Sequence, residues 1–147
     1  MKKLLLVAMS VLLLSAAAIA AEGLSLEGVK CVVAGTKPAK ETNAVDYKGG
    51  KVFFCCMNCP KAFAADTAKF ATKANVQLVA TKQATQTACP YTGKPVAEGT
   101  TVKVAGVDVG FCCMNCKGKT EKAGDAATDL VFADAAFEKG FKVGTKK

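Results

Sequence analysis

Eight cysteines carry whatever chemistry this chain performs: Cys31, Cys55, Cys56 and Cys59, then Cys89, Cys112, Cys113 and Cys116. Thiolate sulfur is a soft donor suited to Cu(I) and Zn2+. The same thiols can pair as disulfides, or cycle between both states where a Cys-x-x-Cys opens a helix. Composition closes the other routes. Histidine is absent, and Ser25 is the only serine after residue 20. A Ser-His-Asp triad, a Cys-His nucleophile pair and a histidine metal site are therefore excluded. The formal charge of +8 comes from lysine alone, because the chain has no arginine. Lysine lacks the planar fork that favours bases and phosphates, so the charge reads as a solvated surface and no nucleic-acid partner is expected.

The cysteine spacing exposes an internal duplication. Cys31 to Cys59 aligns with Cys89 to Cys116 after one single-residue gap, matching Gly35 with Gly93, Lys37-Pro38 with Lys94-Pro95, Glu41 with Glu98, and Gly49 with Gly106. Both copies end on the same six residues, Phe54-Cys55-Cys56-Met57-Asn58-Cys59 and Phe111-Cys112-Cys113-Met114-Asn115-Cys116.

Cys55 and Cys59 are four apart and share a helical face, one turn above the other. Their sulfurs can meet on an ion bonded at about 2.3 Å, with Cys31 as a third ligand from the loop. Cys89, Cys112 and Cys116 repeat the set. A helix N-terminus, with its partial positive charge and free N–H groups, favours thiolates over thiols. Cys56 and Cys113 are candidate fourth ligands, although a sequence neighbour of Cys55 points about 100° away on a helix. Without them each site keeps an open position for water or a partner's ligand. Four thiolates suit Zn2+, whereas three thiolates with Met57 or Met114 suit Cu(I). A gap-filling apolar role is the plainer reading of both methionines.

Two other readings stay open. An even set of cysteines in an exported chain can form a disulfide framework, for example Cys31 to Cys55 and Cys56 to Cys59, making a stapled interaction module without metal. Against it, the vicinal pair crowds thiols where a framework spreads them. Cys56 to Cys59 and Cys113 to Cys116 also resemble the thioredoxin Cys-x-x-Cys, which would make the chain a thiol-disulfide oxidoreductase. The βαβ surroundings of that motif are missing, so the expectation is a binding protein and not an enzyme.

The positioning elements read as follows. Residues 1–20 form a secretory signal: Lys2 and Lys3, an apolar run from Leu4 to Leu14, and a small-residue site at Ala18-Ile19-Ala20. That places the protein in a periplasm or outside the cell, with no membrane span once the signal is cleaved. Residues 21–81 form a first module, 82–88 a polar linker, and 89–147 a second module. Strands are expected over Ala44–Tyr47 and Lys51–Phe54, joined across Lys48-Gly49-Gly50, and over Thr101–Ala105 and Val107–Phe111 across Gly106. Asn58 is an expected N-cap with Pro60 in the first turn of a helix running to about Thr81. Phe63, Phe70, Ala74 and Leu78 line one face of it. Asp125 to Phe141 reads as one or two short helices packed through Phe132, Phe137 and Phe141. The expected class is α+β: two tandem zinc-finger-like units, each a β-hairpin followed by a helix. Each is about 57 residues, a size at which an apolar core is marginal without cross-links.

Cys31, then Phe54-Cys55, Cys59-Pro60-Lys61-Ala62-Phe63-Ala64-Ala65-Asp66 resembles the TRASH and YHS group of small metal-binding domains. Cys89-Pro90-Tyr91-Thr92-Gly93-Lys94-Pro95-Val96 is similar to the opening of the same domain. The chain departs from the pattern at Val32-Val33-Ala34, at Thr120 where a phenylalanine is usual, and in the additional Cys56 and Cys113. The resemblance implies two tandem metal-binding modules, with Cys31, Cys55 and Cys59 as ligands of the first and Cys89, Cys112 and Cys116 of the second. The group is associated with heavy-metal sensing, trafficking and resistance, which implies a metal-binding role without naming the metal. The thiolate donors themselves point to a soft or borderline ion, Cu(I) or Zn2+. The expected role is to capture, buffer or transfer that ion, with a metal-transfer protein as the candidate partner.

Overall fold

The computed structural model describes residues 24–144, and the expected signal over residues 1–20 lies outside them. The elements run β1 (Lys40–Tyr47), β2 (Gly50–Phe54), α1 (Asn58–Ala65), α2 (Thr67–Ala80), β3 (Ala84–Gln86), β4 (Val102–Val104) and β5 (Val107–Val109). Then come α3 (Met114–Ala123), a 3-10 turn at Gly124–Ala126, α4 (Ala127–Phe132), α5 (Asp134–Gly140) and β6 (Phe141–Val143). Among the described residues the class is α+β, with three two-stranded antiparallel sheets, β1-β2, β3-β6 and β4-β5.

Both expected hairpins form, and both turn in the same way. Lys48 and Gly49 have φ of 49° and 86°, and Ala105 and Gly106 have 50° and 82°. Positive φ at both central residues is the tight turn whose twist matches antiparallel strands. Glycine adopts it freely, whereas the non-glycine residue beside it costs about 1 kcal/mol. The first hairpin is longer than expected, since β1 starts at Lys40 and a bulge separates Lys40 from Ala44. The second is shorter, three residues on each side.

The long helix expected to Thr81 is two helices. Asp66 leaves the helical region (φ −148°, ψ 75°), and its carboxylate accepts from the Lys69 N–H at 3.1 Å, capping α2. Asn58, expected as the cap of α1, is instead its first helical residue, with Met57 in the cap position and no side-chain bond. Pro60 falls in the first turn, where its missing N–H does no harm.

The two copies share one apolar core. Val52, Phe54, Phe63 and Leu78 from the first join Val109, Phe111, Val131, Phe132, Phe137 and Phe141 from the second in a single buried cluster. Phe141 stacks on Phe132 and Phe137, with centroids 5.5 and 5.3 Å apart. The segment 82–88 carries β3, which pairs with β6 and buries Ala84. Polar ties cross the same boundary. Asn75, fully buried on α2, donates to the Phe132 carbonyl at 2.9 Å and to Asp134 at 2.8 Å. Lys48 reaches Asp134 at 2.9 Å and Glu138 at 3.1 Å. Pooling apolar surface is the physical answer to units too small to bury a core alone.

Candidate metal centre

Each site begins with a loop that aims the first cysteine. The Cys31 N–H donates to the Lys37 carbonyl, and the Gly35 N–H to the Cys31 carbonyl, both at 2.8 Å. In the second copy Cys89 donates to Lys94 and Gly93 to Cys89, again both at 2.8 Å. Gly35 and Gly93 have φ of 72° and 70°, a region closed to most side chains, which explains why both loops carry glycine there. Behind the loop, the hairpin delivers Cys55 or Cys112, and the first turn of α1 or α3 delivers Cys59 or Cys116.

The six sulfurs converge as two triads. Cys31, Cys55 and Cys59 have all their Sγ atoms within 4.8 Å of one another, and so do Cys89, Cys112 and Cys116. Cys55 and Cys59 are 3.6 Å apart, Cys112 and Cys116 3.8 Å. Two sulfurs bound tetrahedrally at about 2.3 Å lie about 3.8 Å from each other, so the spacing fits one ion per triad. It is far beyond the roughly 2.05 Å of a covalent S–S bond. Cys56 and Cys113, the candidate fourth ligands, stand outside the triads but beside them. Cys56 Sγ is 3.4 Å from Cys59 Sγ and exposed, whereas Cys113 Sγ is 3.8 Å from Cys112 Sγ and half-buried. Met57 and Met114 are 70% and 64% exposed, so neither fills a gap in the core.

Two glutamines that sequence reasoning missed lock the triads together. Gln77, buried on α2, accepts from the Phe53 N–H at 2.6 Å and donates to the carbonyls of Phe53 and Lys30, both at 3.0 Å. Gln86 on β3 accepts from the Gly110 N–H at 2.8 Å and donates to the carbonyls of Gly110 at 2.6 Å and Ala88 at 2.9 Å. Lys30 and Ala88 each precede the loop cysteine, and Phe53 and Gly110 each precede the shared six residues. One side-chain amide thus ties the loop to the hairpin in each copy, from positions that do not correspond in the duplication. Sequence carried no signal for this.

The electrostatics divide the thiols. Burial pushes Cys89 up, but the Cys112 N–H, the Thr92 hydroxyl and the Thr92 and Tyr91 N–H groups outweigh it and bring it down to about 7. Cys31 is likewise lowered, burial being outweighed by the N–H groups of Ala34, Cys55 and Val33. Cys56 is lowered to about 7 by the N–H groups of Asn58 and Cys59 at the helix start, and Cys113 is lowered by that of Cys116. Burial, and then crowding by neighbouring thiols, raises Cys59 and pushes Cys116 up to about 12. A cation at the centre of the triad reverses the sign of that crowding, because each thiolate then faces a positive charge.

The two copies place a ring against the core phenylalanine from different positions. In the first copy Phe63 lies 5.4 Å from Phe54, centroid to centroid. In the second, where Thr120 replaces that phenylalanine, Tyr91 of the loop stacks on Phe111 at 5.5 Å and its hydroxyl meets Thr120 Oγ1 at 2.9 Å. Val33 occupies the Tyr91 position in the first copy. The chain matches no protein-family model, no curated protein and no solved structure. Among the described residues, no helix is long and apolar enough to cross a membrane.

Proposed function

We propose that this is an exported metal-binding protein that captures, buffers or transfers a soft or borderline ion, Cu(I) or Zn2+, at two cysteine-thiolate sites. The observation that carries the reading is the pair of sulfur triads: each gathers a distant loop cysteine, a cysteine at the end of the hairpin and a helix-start cysteine at metal-ligand spacing. Cys31, Cys55 and Cys59 hold one ion, and Cys89, Cys112 and Cys116 the other. In this reading each repeat is a zinc-finger-like module of the TRASH and YHS type, a resemblance the chain's motifs support. The chain acts in the periplasm or outside the cell, where the ion passes to a protein partner, and no reaction is catalysed. Three sulfurs leave a coordination position through which a partner's ligand can enter, which suits exchange better than permanent storage.

The test is stoichiometry on the reduced, signal-free chain. Loaded anaerobically with Zn2+ or Cu(I), it should retain two ions, measured by elemental analysis after gel filtration. Cys59→Ser and Cys116→Ser should each retain one, and the double substitution none. Sharing about 10–16 kcal/mol of zinc-site free energy over four ligands gives about 3 kcal/mol per sulfur, or roughly a hundredfold in affinity at the altered site. Protein from its native compartment with no ion and no free thiol would instead establish the stapled, metal-free module.

A further inference from the structure

The Cys56 thiol is used by neither triad, yet it is exposed and its sulfur lies 3.4 Å from that of the ligand Cys59. Cys59 itself is 8% exposed, so Cys56 is the solvent-facing member of the pair. We propose that Cys56 is a peroxide-reactive site that opens the first metal centre: its oxidation draws Cys59 into a Cys56–Cys59 disulfide and expels the ion. The proposal rests on the metal-binding reading above.

The chemistry balances with a peroxide as oxidant. The Cys56 thiolate attacks one peroxide oxygen, the O–O bond breaks, and hydroxide leaves with a proton as water, giving the sulfenic acid. Cys59 sulfur then attacks the Cys56 sulfur. The S–S bond forms, the S–O bond breaks, and a second water leaves. Two thiols and one hydrogen peroxide become one disulfide and two waters. The sulfurs must close by about 1.4 Å to reach bonding distance, a side-chain movement within the first turn of α1. Cys31 and Cys55 alone then face the ion, and two thiolates hold it far more weakly than three.

The second centre provides the internal reference. Its extra thiol, Cys113, is half-buried and lies 3.8 Å from Cys112, its neighbour in sequence. A bond between adjacent cysteines strains the peptide they share, so Cys113 would have to bridge to Cys116, which its thiol also faces. What separates the two centres is that Cys113 is half-buried where Cys56 is open to peroxide. Oxidation should open the first centre before the second.

The experiment uses the reduced, signal-free chain loaded with Zn2+, a redox-silent ion, and confirmed to hold two equivalents. Hydrogen peroxide is added stoichiometrically, released zinc is followed with a chromogenic chelator, and disulfides are mapped by peptide mass after alkylation. One equivalent should leave in a first phase, with the bridge mapped to Cys56 and Cys59 and metal binding restored by dithiothreitol. Cys56→Ser should keep both ions in the absence of peroxide and slow the first phase roughly tenfold or more. Cys113→Ser should leave that phase unchanged. Release from Cys56→Ser at the unsubstituted rate, or a first bridge between other cysteines, overturns the proposal. If the reduced chain binds no zinc at all, the metal-binding reading fails first, and disulfide mapping still decides whether Cys56 and Cys59 are the reactive pair.

Discussion

In the first centre the ring beside Phe54 comes from the helix residue Phe63, whereas in the second the ring beside Phe111 comes from the loop residue Tyr91. The supporting glutamine is supplied just as differently, by a helix that follows the first copy and by a strand that precedes the second. What stays fixed is the shared six residues, the hairpin turns and the glycine-bearing loops. The lesson is that the sulfur positions are under tight geometric demand, while the demand on the support is only for a ring against the core phenylalanine and an amide across two strands of chain. Any backbone position that reaches can meet it.

The core tests how far the two copies are separate bodies. Phe54 and Phe111 occupy equivalent positions and are both fully buried. Truncating either, Phe54→Ala or Phe111→Ala, should cost about 3–5 kcal/mol, the largest effect expected of a non-cysteine substitution. Because both rings belong to one cluster, either change should lower a single calorimetric transition of the whole chain. Two resolved transitions, with only one shifted, would break the picture of a common core and restore two independent units.

Much of the site was legible because sulfur chemistry is local in sequence. A shared helical face predicts the pairing of Cys55 with Cys59 and of Cys112 with Cys116. The structure pairs them differently, because Cys55 and Cys112 lie in the bend between hairpin and helix and only Cys59 and Cys116 are helical. The duplication then nominates Cys31 and Cys89. The turns were legible for the same reason, since Gly49 and Gly106 mark them directly. The break at Asp66 was hidden within a continuous alanine-rich period, although an aspartate followed by threonine is capable of capping. The common core was not legible. It depends on Asn75 meeting Phe132 and on β3 meeting β6, contacts between segments whose polarity reads as surface or linker.

The glutamines sharpen the comparison at the next scale down. Gln77→Leu removes the partners of the Phe53 N–H and of two carbonyls, and leaves them in a buried setting. An orphaned buried group costs about 1–3 kcal/mol. Gln86→Leu does the same around Gly110, but Gln86 is only half-buried, so water can replace part of what is lost. The expected result is a loss of stability in both variants, greater for Gln77→Leu, together with faster alkylation of Cys31 in the first case and of Cys89 in the second. Equal exposure of both loop cysteines in either variant would show that the amides act on the fold as a whole and not on their own centres.

The smallest effect separates the two loops by one hydroxyl. Thr92 Oγ1 lies 3.2 Å from Cys112 Sγ and also helps to lower Cys89, while the matching residue of the first loop is Ala34, with only an N–H to offer its cysteine. Cys89 is held down at about 7 against an ordinary 9.0. A depressed thiol contributes stability that is present above pH 9.0 and is lost as pH falls through about 7. The same depression favours metal, because an ion entering at neutral pH has fewer protons to displace. Thr92→Val keeps the shape and removes the hydroxyl, so Cys89 should rise part of the way back and the pH for half-loading of the second centre should move upward. Zinc competition titrations across pH 6–9, run on the variant and on Ala34→Thr, measure this. A midpoint that stays put in Thr92→Val would mean that the backbone N–H groups alone set the thiolate, and that the two loops are electrostatically alike despite the difference at this position.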